Sequence, residues 1–140
     1  MRSIRERFGI LIRPTGRFET VQLGSDRGKR TIAEVIEEHF GCPFDKARTF
    51  DGYAYLTRRG AFEDGCIKNA PAEWFSNTPL YGDVIIVPIS KGETKHYMYW
   101  ERPDAYRKMV WMQIQWGLEC DRRVNPERYS FKNKKNTARE

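Results

Sequence analysis

Histidine occurs only twice in this 140-residue chain, at His39 and His96, and cysteine three times, at Cys42, Cys66 and Cys120. No CxxC pair is present, and a structural zinc site would have to gather four ligands from these dispersed positions, so no metal is expected. An odd number of distant cysteines gives no disulfide framework and fits free thiols in a reducing, cytoplasmic compartment. Long apolar runs are also missing. The longest, Val84-Ile85-Ile86-Val87, is strand-sized, against the ~20 residues of a membrane span. The opening Met1-Arg2-Ser3-Ile4-Arg5-Glu6-Arg7 is basic but no apolar core follows it, so no secretory signal is read there. There is no GxxxxGK[ST] loop, and no cofactor is expected.

What the chain does have is enough apolar material for one core: 39% hydrophobic residues, with 14% aromatic. Its 25 cations exceed its 19 acids, giving a net charge of +6. The excess is local. Between Arg122 and Arg139 lie seven cations and one acid, Glu127, so that stretch carries the whole net charge and the remainder sums to zero. A basic tail of this kind is either a solvated appendage or a phosphate-binding arm with little sequence preference.

Residues 8–13 and 17–23 read as strands joined at Pro14-Thr15-Gly16, a hairpin signal. A polar loop, 24–30, leads to the clearest helix. Thr31-Ile32-Ala33-Glu34 matches a capping box, Ile32, Val35, Ile36 and Phe40 form an apolar stripe, and Gly41 supplies the stop. Residues 47–56 read as a third strand interrupted at Asp51-Gly52, and 60–77 as an irregular surface segment anchored by Trp74 and Phe75. The unbroken run from Val84 fits a strand buried on two sides, and 96–100 looks like one more strand. Residues 104–119 fit two periods. Tyr106, Met109, Val110, Ile114 and Leu118 suit one helical face, while Val110, Met112, Ile114, Trp116 and Leu118 alternate as in a strand; length and the Pro103-Asp104 start favour the helix.

The order of hairpin, capped helix, returning strand, irregular segment and final buried strand resembles the β-grasp, ubiquitin-like folds. Leu80-Tyr81-Gly82-Asp83-Val84-Ile85-Ile86-Val87-Pro88 looks like the entry to the last strand of that class. The chain is also similar, over residues 8–90, to a small domain family found mainly in phages and large viruses. That likeness rests on the opening hairpin, the helix ending at Gly41, Asn69-Ala70-Pro71-Ala72 and Tyr81-Gly82-Asp83-Val84. It implies a viral or mobile-element accessory protein, in the host cytoplasm, and assigns no functional residues. Sulfur carriers of the β-grasp class end in Gly-Gly, whereas this sequence closes Thr137-Ala138-Arg139-Glu140, so carrier chemistry is not expected. The expected fold is therefore α+β: a β-grasp-like mixed sheet packed on one main helix over residues 1–92, an aromatic helical extension over 93–121, and a basic tail over 122–140.

Three groups of residues are candidates for function. Ser25, Arg27, Lys29 and Arg30 precede a helix N-terminus and could hold an anion, though such a loop is equally an ordinary polar turn. Tyr97, Tyr99, Trp100, Arg107, Trp111 and Trp116 supply the residue types of protein hot spots, or base-stacking faces, or a second small core. Arg122, Arg123, Arg128, Lys132, Lys134 and Lys135 could bind nucleic acid. Catalysis finds little support. Glu63-Asp64 is an isolated acidic turn, and His39 with Cys42 reads as helix-end packing. The expectation is a small non-enzymatic protein that binds a protein partner. Nucleic-acid binding through the tail and a phosphate-ligand site in the 24–30 loop, enzymatic or not, are the alternatives. No membrane association is expected.

Overall fold

Successive side chains of a strand point to opposite sides, so a run that is apolar at every position needs a core on each side of its sheet. Val84 to Val87 meets that need: Val84 and Ile86 enter one buried cluster, Ile85 and Val87 the other. The computed structural model describes residues 5–25, 28–89 and 97–128. Five strands, β1 (Glu6–Ile12), β2 (Phe18–Ser25), β3 (Phe44–Phe50), β4 (Tyr53–Arg58) and β5 (Val84–Pro88), form one sheet in the order β2-β1-β5-β4-β3. Helix α1 (Ile32–Phe40) covers one side through Ile32 and Ile36, against Leu11, Leu23, Ala54 and Leu56. On the other side α2 (Ala70–Ser76) and α3 (Arg102–Val124) bury Ala72 and Met112 against Ile10, Ile12, Phe18 and Tyr55.

The local signals at the first two elements act as the sequence implies. The β1–β2 hairpin closes with Arg13 N–H donating to the Arg17 carbonyl at 2.9 Å, and Gly16 takes a φ of 93°. Helix α1 begins with a reciprocal box: Glu34 N–H donates to Thr31 Oγ1 at 3.1 Å, and Thr31 N–H to Glu34 Oε1 at 2.9 Å. Gly41 ends it at a φ of 72°, donating to the Glu37 carbonyl at 2.8 Å. Residues 104–119 are helical, within α3.

The α+β class holds, with a sheet packed on helices, but several expected details change. The sheet is antiparallel at each of its four pairings, β1–β5 included, so the mixed sheet of a β-grasp gives way. The helix at 32–40 is not the main one; α3, at 23 residues, is the longest and builds a layer of its own. Residues 44–58 are two strands rather than one interrupted strand. Asp51 (φ 55°) and Gly52 (φ 84°) both take the left-handed conformation that a two-residue hairpin turn requires. The stretch expected to be irregular contains α2, whose Asn69 cap is fully buried. Around 97–100 there are only isolated bridges, Tyr97 with Ile89 and Trp100 with Phe8, instead of a strand, and His96 lies outside the described residues. Finally, α3 runs past residue 121 to Val124, and residues 126–128 add a short helical turn.

Candidate interaction surface

Helix α3 has charge placed to favour it, with Pro103 and Asp104 in its first turn and Arg122 and Arg123 in its last. Its inner stripe is Ala105, Met109, Met112, Trp116 and Glu119, of which Ala105 and Met112 are buried and Met109 and Trp116 partly so. Glu119 ends that stripe at 7% exposure. Its carboxylate accepts from Arg123 Nε at 2.8 Å and from Arg122, one turn on, which holds it below the usual carboxylate range.

The outer stripe is also apolar. Tyr106, Trp111, Ile114 and Leu118 are 50–59% exposed, and 111, 114 and 118 repeat at helical spacing. A helix docked on a sheet ordinarily turns a polar side to solvent, so an apolar outer stripe needs a further reason. Trp111 is the best fixed of the four. Lys108 Nζ lies 4.6 Å from its ring centroid and 4.7 Å from that of Tyr53, and Phe75 stands 6.4 Å away. A large side chain pinned from below and open above loses little freedom on binding.

The six residues singled out from the sequence as a partner surface do not share one surface. Tyr97 and Tyr99 pack on the α1 side of the sheet, Tyr97 5.9 Å from Phe44 and Tyr99 under Arg7, and burial pushes the Tyr97 hydroxyl pKa up. Trp100 lies on the opposite side, 5.7 Å from Tyr53, and Trp116 turns inward to Trp74 (5.9 Å) and Arg123 (5.0 Å). Only Arg107, paired with Asp104 at 3.3 Å, and Trp111 reach the outer side of α3. Of Tyr106, Met109, Val110, Ile114 and Leu118, expected on one helical face, the structure half-buries Met109 and Val110 and exposes the other three. The signal that separates the stripes is the spacing of Ala105, Met109, Met112 and Trp116, all of which fall on one side of a 3.6-residue helix.

The other candidates are placed as follows. Of the loop residues, Ser25 ends β2 and its carbonyl accepts from Gly28 N–H at 3.1 Å; Lys29 is exposed, and Arg27 lies outside the described residues. Arg30 pairs with Glu38 of α1, and the Thr31–Glu34 box serves the Thr31 and Glu34 amides. Arg122 and Arg123 are bound to Glu119, and Arg128 to Asp121 at 3.2 Å. Lys132, Lys134 and Lys135 lie outside the described residues. A cleft of about 370 Å³ opens beside the end of α3, lined by Lys68, Glu73, Trp74, Thr78, Pro79 and Arg123, with Lys68 bound to Glu73 at 2.9 Å.

Among the described residues no group of three His, Cys, Asp or Glu side chains is placed to hold a metal ion, and no helix is long and apolar enough to cross a membrane. No family model, curated protein or solved structure matches this chain.

Proposed function

We propose that this chain is a small non-enzymatic binding protein that engages a protein partner through the outer side of α3, with Tyr106, Arg107, Trp111, Ile114 and Leu118 as its contacts. One observation carries this: four large apolar side chains, each half exposed or more, stand on the outer side of a helix whose inner side is already buried. Aromatic and aliphatic anchors beside an arginine are what protein interfaces concentrate at their centres. An accessory or assembly role in a phage or large virus, expected from the resemblance read over residues 8–90, is part of the same proposal. Three free thiols support a cytoplasmic setting.

A second reading has a specific observation behind it. Arg122, Arg123 and Arg128 cluster at the end of α3, and Arg123 borders the cleft that also holds Trp74, so cations and an aromatic face occur together where the basic tail begins. That combination suits single-stranded nucleic acid.

Capture from nuclease-treated extract, with the full chain immobilised, separates the two. Protein binding through α3 predicts retention that survives 0.5 M salt and is lost with Trp111→Ala combined with Leu118→Asp. Retention that disappears with nuclease or salt, and ignores those substitutions, contradicts it and favours the tail.

A further inference from the structure

We infer that the partner seated on the outer side of α3 is a second copy of this chain, joined by antiparallel pairing of the two α3 helices about a two-fold axis at Ile114. This rests on the proposal that the outer side of α3 is a protein-binding surface, and it names the partner.

Three observations support a self-complementary surface. Arg107, Val110, Ile114, Gly117 and Asp121 fall along the outer side at 3-4-3-4 spacing, with exposed Ile114 and half-buried Val110 between the two charges. In an antiparallel pair centred on Ile114, residues equally far to either side of it lie level with each other. Ile114 then meets Ile114 of the second copy, Val110 lies level with Leu118, and Arg107 with Asp121. The two ends of the seam thus bring opposite charges together twice, once at each end of the pair. A parallel pair would instead set Arg107 against Arg107 and Asp121 against Asp121.

Gly117 is the third observation. A glycine inside a helix costs about 1 kcal/mol relative to alanine. Within the single chain nothing requires it: Gly117 is exposed and a Cβ built there would meet no atom within 4 Å. Level with Gly117 in the antiparallel pair is Trp111 of the second copy, the bulkiest side chain of the outer stripe. A residue without a side chain there lets the two helices approach closely and leaves room for the indole. Across the interface Arg107 leaves Asp104, and Asp121 leaves Arg128 while still accepting from Asn125 Nδ2 at 2.9 Å, as the two pair with each other.

The contact is small. A 23-residue helix is about 35 Å long and 10–12 Å wide, so its one-sided strip lies at the low end of specific interfaces and dimerisation should fall in the micromolar range.

Sedimentation equilibrium of the full chain across that range tests the inference. The expected result is a monomer–dimer equilibrium. Arg107→Asp and Asp121→Arg should each weaken it about tenfold, because each sets like charges opposite one another at both ends. The double variant should restore it, and so should a one-to-one mixture of the two single variants, which form a complementary heterodimer. Gly117→Leu should raise the melting temperature of the monomer yet weaken the dimer, a sign reversal that a purely structural role does not produce. A wild-type chain that is monomeric at every loading overturns the inference, and so does a dimer indifferent to the charge reversals and to Gly117→Leu. If the monomeric wild type still retains another protein and loses it with Leu118→Asp, only the identity of the partner has failed. If retention also ignores Leu118→Asp, the protein-binding surface itself has failed.

Discussion

The Asn69 side chain is fully enclosed and makes three hydrogen bonds that tie together distant parts of the chain. Its Nδ2 donates to the carbonyls of Ile12 (2.9 Å) and Gly82 (2.8 Å), and its Oδ1 accepts from Ala72 N–H at 3.0 Å, capping α2. An apolar replacement would take this donor from the buried Ile12 carbonyl and the half-buried Gly82 carbonyl, and uncap the helix. Asn69→Ala should therefore lower stability by about 2–4 kcal/mol, read from urea unfolding. A loss below about 0.5 kcal/mol would show that water or a shifted backbone replaces those bonds. Gly9 acts through space rather than bonding. A Cβ there would stand 3.0 Å from the Ile86 carbonyl oxygen and 3.0 Å from Leu23 Cδ1, and the first of these is backbone that cannot swing aside. Gly9→Ala should cost about 1–3 kcal/mol, despite alanine's better intrinsic fit to a strand.

At the scale of elements, what was legible in the sequence was what is decided locally. The Thr31–Glu34 box, the Gly41 stop and the Pro14-Thr15-Gly16 turn involve neighbours a few residues apart, and each is present as its spacing implies. Helix α2 was not legible, because seven residues give too few turns for a periodic stripe. Its stability comes from Asn69 and from burial of Pro71, Ala72 and Ser76, with Ala72 in the cluster that faces the sheet. The direction of β5 was hidden for a similar reason. A strand buried on both sides has the same composition whether its neighbour runs parallel or antiparallel, and chain path decides. In α3 the difficulty was surplus signal: apolar residues on opposite sides also satisfy a two-residue period, and they hide which side is the core. The two sides should separate by mutation. Met112→Ala should cost about 2–4 kcal/mol of stability, and Ile114→Ser should change it by no more than about 0.5 kcal/mol. Equal losses in thermal or urea unfolding would contradict the inside–outside assignment of α3.

Over the whole molecule, three layers place a single sheet between α1 and the α2–α3 pair, and ion pairs stitch the rim. Arg13 joins β1 to Glu19 of β2 at 2.7 Å and to Asp83, just before β5, at 3.2 Å. Hydrogen bonding from Arg13 holds Glu19 below the usual carboxylate range, the Thr31 amide and hydroxyl do the same for Glu34, and Arg123 and Arg122 for Glu119. A carboxylate with a lowered folded pKa binds its proton less readily folded than unfolded. Its stabilisation is thus present above the unfolded value of about 4.3 and is lost as pH falls through the folded value. Melting temperature should be flat from neutrality to about pH 5 and decline below it, and Glu119→Gln should make that decline shallower. A profile that keeps rising as pH drops to 3 would contradict these pairings.

The most direct test of the central claim, that the outer side of α3 binds a protein while the inner side holds the fold, sets two substitutions on that helix against each other. Ile114→Asp and Met112→Ala would be introduced separately into the full chain, and each variant measured for melting temperature and for protein retained, its own copy included, at 0.5 M salt. Ile114→Asp should abolish retention at an unchanged melting temperature, and Met112→Ala should lower the melting temperature while retention per folded molecule stays the same. Full retention by Ile114→Asp would contradict the claim.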